Sequence, residues 1–325
     1  MAAADRSRHT FEAMNTTIAT AGLGASGREL AEAWFADAER NLSRFRPDSE
    51  LSALNRSAGA AFRPSPPLRQ VLLKAHRYHL ETDGVFNPFL GAVLSGYGYA
   101  ESFERLADRP AAPYRPRRAE TGVGTAPPVS MTLADLEAPD GGVSLSPGVA
   151  IDLGGIAKGW SAARLAARLQ AEGVPTGAVD AGGDMALWGA PPNGWEIGIA
   201  HPYDAEADLV ALRLPFAAGI ATSSAAKRRW RDAGGRELHH LLDPSTLTPA
   251  RSDLLQATVF APDATAAEVY AKCLLILGSR KGIPWLKRKR PDCAYIAVGR
   301  DLSVLADPAV SACVIEGRVS YATLE

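Results

Sequence analysis

Net charge, cysteine and long apolar runs are all scarce in this chain. Its 325 residues carry 35 Lys and Arg against 36 Asp and Glu, a formal net charge of −1. A balance so near zero argues against a general binder of nucleic acid or of anionic membrane. The longest apolar runs, such as "CLLILG", are far too short to cross a bilayer. The opening "MAAADRSRHTFEAM" has no apolar stretch of signal-peptide length, so a cytoplasmic location is expected. The three cysteines, Cys273, Cys293 and Cys313, stand far apart and form no CxxC pair. A disulfide framework or a zinc site needs more, so buried free thiols are expected. No internal repeat is visible.

Apolar residues make up 46% of the chain and charged residues 22%, the composition of a globular protein. The length suffices for one large domain or two ordinary ones. "NTTIATAG" reads as a strand and "SGRELAEAWFADAERNLSRF" as a helix. In that helix Ser26 and Glu29 match a capping box, and Leu30, Trp34, Ala38 and Leu42 share a face. "PPLRQVLLKAHRYHLETDG" reads as a second helix, with proline at its start and Gly84 past its end. Residues 107–145, rich in Pro, Ala and Gly, are the best connector between two subdomains of a single domain. A helix to about Glu172 follows, then the strand-like "GAVDAGGDMALWG", "GWEIGIAHP" and "LVALRLPFAAGIATS". "ATVFAP" leads into a helix over "TAAEVYAKCLLILGS", and "CAYIAVG" and "LSVLADP" finish as strands. The strands lack a regular βαβ rhythm, which favours α+β over a doubly wound sheet. "GLGASG", Gly22 to Gly27, matches a dinucleotide fingerprint, but no second apolar strand ending in an acid follows its helix.

The stretch "IDLGGIAKGW", residues 151–160, is the most suggestive in the chain. Gly154 and Gly155 remove side chains where backbone could approach a ligand, just before a helix beginning near Ile156. A helix N-terminus favours phosphate oxygens, and Lys158 adds a movable positive charge. Asp152 could cap the helix or accept from a ligand. A capped helix with glycines for close packing explains the same residues.

"AMNTTIAT", "LSRFRPDSELSALN", "TDGVFNPFLG", "IDLGGIAKGW", "VDAGGDMALWG", "ATSSAAKRRW" and "HHLLDPSTLTPA" occur in this order. Together they closely resemble the ApbE family, the FAD:protein FMN transferases, from residue 13 to about 308. The resemblance implies an ApbE-like, T-fold-like α+β architecture of mixed sheets with flanking helices. It implies a reaction in which FAD is cut at its pyrophosphate. The FMN half is esterified to a Thr or Ser of an acceptor flavoprotein, AMP leaves, and Mg²⁺ assists. Carried over by motif, Met14, Phe45, Phe86, Asn87 and Pro88 line the FAD site, and Asp152 and Lys158 contact FAD. Gly154 belongs to the diphosphate turn, the Gly155 carbonyl faces the metal, and Leu242 offers backbone to the flavin with Asp243 holding its loop. Asp180 and Asp184 flank the "AGG" turn, either satisfying local amides or standing near the ligand. His240 is the candidate general base, since an imidazole takes a proton near neutral pH. His239 reads as bland. "KRRWR" and "KRKR" read as solvated faces, with Arg228 or Arg229 in reach of a phosphate.

The chain departs from the pattern in its last helix. Aligned through "LLILG", the family's metal-binding Asp and Thr become Glu268 and Lys272. Lysine is no magnesium ligand, because hard cations take oxygen. Thr265 with Glu268 makes a capping box, and Glu268 with Lys272 a favourable i,i+4 pair. Alternatively, the Lys272 ammonium stands where the metal would. Ser224 and Leu247 each replace a usual glycine. Two functions are therefore carried forward: an FMN transferase, and an FAD-binding relative without transfer (an FAD carrier, an FAD hydrolase or a repurposed flavin enzyme). No segment resembles the family's acceptor motif, roughly Asp-Gly-x-Thr/Ser-x-Ala-Thr, so the flavin acceptor is expected to be another protein.

Overall fold

A computed structural model of the chain describes residues 8–57, 59–103, 131–132, 141–231 and 237–321. Most of the candidate connector at 107–145 lies outside the described residues. The chain divides into two units: unit 1 holds residues 1–36, 156–227 and 251–325, and unit 2 holds 37–155 and 228–250.

Unit 1 is built on a nine-stranded sheet. Its strands, in chain order, are β1 (His9–Ala13), β2 (Thr16–Ala21), β5 (Gly177–Ala181), β6 (Asp184–Trp188), β9 (Ala218–Ser224), β14 (Leu254–Ala261), β15 (Ala294–Gly299), β16 (Val304–Ala306) and β18 (Ser320–Tyr321). They lie side by side in that same order. The pairings described are antiparallel except β16 with β18. An α+β fold is therefore observed, and β2, antiparallel to both neighbours, is no Rossmann strand. A second sheet, β17–β8–β7 (Val314–Gly317, Asp204–Leu214, Trp195–His201), belongs to the same unit.

Alternation along the strands decides what each face meets. On β6, Ala186 and Trp188 join a core with Ile18, Phe35, Leu165 and Leu169, whereas Leu187 joins one with Ile199, Leu212, Ile220 and Phe260. The first core is closed by α1 (Ala25–Leu42) and α5 (Ala157–Ala171), the second by the three-stranded sheet. All eight residues of β14 are buried, as befits a strand covered on both faces. The helix α6 (Ala264–Lys289) packs on β9 and β14. Gly219 of β9 permits this, since a Cβ there would stand 2.1 Å from the Asp263 carbonyl carbon.

Several local expectations shift. α1 begins at Ala25, so Ser26 lies in its first turn rather than capping it. Its deepest stripe is Ala31, Phe35, Ala38 and Leu42, with Leu30 and Trp34 flanking; the Trp34 indole N–H donates to the Ser161 carbonyl at 3.1 Å. α6 is capped by Asp263, whose side chain accepts from the Ala266 N–H at 3.0 Å, so Thr265 is not the cap. α6 also runs past "LLILGS" through a break at Gly278 (φ 75°), beyond which Asp253 accepts from the Ser279 N–H at 2.9 Å. β1 went unread in the sequence; its hairpin to β2 turns through Met14 and Asn15, both left-handed at φ 52° and 58°. Two adjacent residues of that hand are what a two-residue hairpin with native twist requires.

Unit 2 carries α2 (Glu50–Arg56), α3 (Pro66–Glu81) and α4 (Gly91–Gly96). It also holds three short strand pairs: β3–β4 (Met131–Thr132, Ser144–Leu145), β10–β11 (Arg229–Arg231, Glu237–His239) and β12–β13 (Leu242–Asp243, Thr248–Pro249). Pro66 opens α3 and Gly84, at φ 79°, follows its end, as the sequence predicts. The three cysteines are buried and free, also as predicted. Among the described residues no helix is long and apolar enough to cross a membrane.

Candidate functional site

In unit 2 the segment before Asp152 is clamped by Asn55. Its side-chain amide donates to the Ile151 carbonyl at 2.9 Å and its oxygen accepts from the Ile151 N–H at 2.7 Å. The Asp152 N–H donates to the Pro88 carbonyl at 2.8 Å, which brings the Phe86–Asn87–Pro88 segment alongside. The segment is shaped by its own bonds: His79 Nδ1 donates to the Phe86 carbonyl at 2.9 Å, and Asn87 Oδ1 accepts from the Phe89 N–H at 2.9 Å.

The Asp152 carboxylate is engaged at both oxygens. Oδ1 accepts from the Gly154 N–H at 2.7 Å, and Oδ2 accepts from Arg44 Nε. Arg44 Nη1 donates to the Tyr99 carbonyl at 2.7 Å. The guanidinium plane lies over the Phe45 ring at 4.2 Å and the Tyr99 ring at 4.8 Å. Tyr99 stacks on Trp230, with centroids 5.4 Å apart and planes at 19°, and lies 6.3 Å from the His240 ring. Leu242 is buried in the same cluster with Leu90, Leu94 and Tyr99. Phe45, Asp152, His240 and Leu242, named from three separate motifs, are thus gathered about Arg44 and Tyr99.

Arg44, Tyr99 and Trp230 had no ligand role in the sequence reading. Arg44 stands beside Phe45 in a quoted motif, but its partner is 108 residues away, so only the fold reveals it. Trp230 lies within the basic run read as a solvated face. Its indole N–H donates to the Tyr97 carbonyl at 2.9 Å, while Arg229 pairs with Glu237 at 2.6 Å. "KRKR" is likewise no simple solvated face, since Lys287 pairs with Asp307 at 2.9 Å and Arg290 with Asp292 at 2.7 Å. His239 bonds to the Ala250 carbonyl at 3.1 Å and to the Leu241 N–H at 3.3 Å, which suits a loop-holding histidine. Asp243 accepts from the Ser245 N–H at 2.8 Å, so it does hold its loop. Leu247 sits at φ 56°: the turn keeps the left-handed shape for which glycine is usual.

In unit 1 three charges converge. Lys158, in the first turn of α5, donates to Asp184 at the head of β6 and to Glu268 Oε1 of α6 at 3.1 Å. Glu268 Oε2 accepts from the Gly159 N–H at 2.8 Å. Asp184 and Glu268 are only 3% and 4% exposed, which makes this a buried ion cluster. Gly159 explains how α5 and α6 come so close: a Cβ there would meet the Ala264 carbonyl oxygen at 2.4 Å. Close helix packing, one of the two readings of "IDLGGIAKGW", is therefore what Gly159 serves. The Gly154 and Gly159 amides, which the sequence offers to a phosphate, are taken by Asp152 and Glu268. Asp180 accepts from the Gly183 N–H at 2.7 Å across the turn, and burial pushes its carboxyl up. Met14 turns the β1–β2 hairpin, and Lys272 is half-buried on α6.

Burial raises the Glu268 carboxyl from its usual 4.5 to about 7, with Asp184 adding to the rise and Lys158 opposing it. An acid whose folded pKa is raised holds its proton in the folded state while the unfolded chain loses it. Its contribution to stability therefore falls as pH climbs from about 4.5 to about 7. Glu268→Gln is expected to flatten that part of the curve, read as urea midpoints at about pH 5, near the lower edge of that window, and about pH 8, above its upper edge. Parallel curves for parent and variant would show that Glu268 does not titrate there.

The magnesium implied by the family resemblance does not fit this donor set. Both Glu268 oxygens and Asp184 already accept from nitrogen donors, and an ammonium, Lys272, replaces an oxygen ligand. Among the described residues no three or more His, Cys, Asp or Glu are grouped to hold a metal.

Known proteins share this architecture. The structure of the ApbE protein of Thermotoga maritima superposes with a TM-score of 0.80 over 95% of this chain and 99% of its own, at 22% identity. Flavin transferase ApbE from Vibrio cholerae gives 0.74 over 94% and 98%, also at 22% identity. In sequence, the FAD:protein FMN transferase of Treponema pallidum is 28% identical over 267 residues, covering 77% of this chain and 70% of that protein. The FAD:protein FMN transferase of Salmonella typhimurium is 26% identical over 251 residues, covering 76% and 70%. The ApbE family model matches residues 13–297, and with most of its length so matched this chain belongs to the ApbE family.

Proposed function

We propose that this protein is an FAD:protein FMN transferase whose two units are subdomains of one transferase domain. FAD and an acceptor flavoprotein are its substrates. The hydroxyl oxygen of an acceptor Thr or Ser forms a bond to the phosphorus of the FMN half. The bond from that phosphorus to the bridging oxygen breaks, and AMP leaves with that oxygen. The observation that supports this most is the gathering of Phe45, Asp152, His240 and Leu242 about Arg44 and Tyr99. Phe45 and Leu242 offer apolar contact to a flavin ring. Asp152, oriented by Arg44 and Gly154, accepts from a ligand N–H or hydroxyl. His240 takes the attacking hydroxyl's proton. Phosphoryl transfer is mostly positioning and charge neutralisation, so Lys158 and Lys272 are this chain's cations for a diphosphate.

Incubation with FAD and a peptide carrying the acceptor motif, with and without Mg²⁺, tests this. AMP release together with flavin fluorescence on the denatured peptide is expected; neither product, at any Mg²⁺ concentration, would remove the transferase reading. The engagement of Glu268 by Lys158 and Gly159 favours a second reading, an FAD-binding relative that does not transfer. It requires FAD bound, insensitive to EDTA, with no AMP formed. On either reading FAD binds more tightly than FMN, checked by titrating flavin fluorescence; equal affinities would count against both.

A further inference from the structure

Lys158 reaches its position from the first turn of a helix whose backbone is pressed against α6 at Gly159. Its ammonium has three N–H groups, and two point at carboxylates of other elements, Asp184 and Glu268. The side chains of the three residues are 15%, 4% and 5% exposed. We propose that Lys158 is the resident counter-cation of the Asp184–Glu268 pair and that no divalent cation binds between those carboxylates. Removing the ammonium would then convert the pair into a divalent-cation site. The inference rests on contacts within unit 1; because Lys158 also serves the diphosphate in the flavin reading, cation uptake is read both with and without FAD.

The two carboxylates are already aimed at one point. Asp184 Oδ2 and Glu268 Oε1 both face the Lys158 nitrogen, and the Gly159 N–H fixes the other Glu268 oxygen. A magnesium ion binds carboxylate oxygen at about 2.0–2.1 Å and keeps several waters, so it would have to stand where the ammonium stands. With the ammonium gone, Asp184 and Glu268 lose the cation between them, and a hard cation with oxygen preference takes its place, displacing any proton the pair holds. Methionine at position 158 keeps the stem and removes the charge.

Mn²⁺ serves as the probe, followed by loss of the free-ion paramagnetic resonance signal, with and without saturating FAD. The parent is expected to take up no Mn²⁺ that depends on Asp184 or Glu268, and its melting temperature should not move with millimolar Mg²⁺. Lys158→Met is expected to bind one Mn²⁺ and to regain melting temperature on adding Mn²⁺ or Mg²⁺. Lys158→Met with Asp184→Asn should bind it about tenfold or more weakly, since ligand charge sets affinity. Parent Mn²⁺ that disappears in Asp184→Asn or Glu268→Gln overturns the proposal. Parent Mn²⁺ that survives both lies elsewhere and supports it. A folded Lys158→Met that binds no Mn²⁺ overturns the latent site. Should that variant not fold, the parent measured against Asp184→Asn and Glu268→Gln decides.

Discussion

Alanine at position 240 is expected to slow FMN transfer by about 10²–10⁴-fold while FAD stays bound, the usual contribution of a general base. The His240 ring is half-buried beside Tyr99, at 6.3 Å between centroids, within the cluster that holds Phe45 and Leu242. A change there has two separable consequences. Loss of a base acts on the rate of AMP release in a single turnover. Loss of packing acts on FAD affinity and on stability. An imidazole base also writes a signature in pH, because the rate rises as the ring loses its proton. That limb should vanish in the variant. A variant that transfers at the parent rate, or keeps the limb, would make His240 a loop residue.

Arg44→Met should cost about 3–5 kcal/mol of stability, the loss typical of stripping one partner from a buried ion pair. The side chains of Arg44 and Asp152 are 7% and 13% exposed, so little water is at hand to compensate the abandoned carboxylate. The guanidinium also spans the Phe45 and Tyr99 rings and holds the Tyr99 carbonyl, contacts that a thioether does not replace. Lysine should restore only part of the loss, since it lacks the planar fork that binds carboxylate and carbonyl together. Urea midpoints for parent, Met and Lys variants decide. If all three agree within ~0.5 kcal/mol, the pair is a bystander, as a surface substitution would be.

Much of the architecture was legible because it rests on local rules. Pro66 and Gly84 bracket α3, and the helix after Gly155 begins at Ala157 as "GGIAKG" foretells. The missed features depend on what lies across the fold. The partners of Lys158 are 26 and 110 residues distant, so a lysine read as a diphosphate ligand also serves as an internal counter-charge. A one-residue offset in the α1 stripe followed from apolar residues on both sides of Phe35; only packing against Leu165 and Leu169 chooses among them. Asp263 displaced Thr265 as the α6 cap because both types cap well, and the tight seat against Gly219 fixes where the helix starts. β1 was hidden because its left-handed turn uses Met14 and Asn15 rather than glycine.

The interleaving of the two units sets the order in which the protein can be made. When Lys227 leaves the ribosome neither unit is whole: unit 2 still lacks residues 228–250, and unit 1 lacks everything from 251 onward. At that moment β9 has β6 on one side and nothing on the other, for its second neighbour, β14, is still to be synthesised. At about 5–20 residues per second the nascent chain carries that open strand edge for a few seconds. An unpaired edge is a template for another chain, so crowded polysomes are where this protein is most exposed to misassembly.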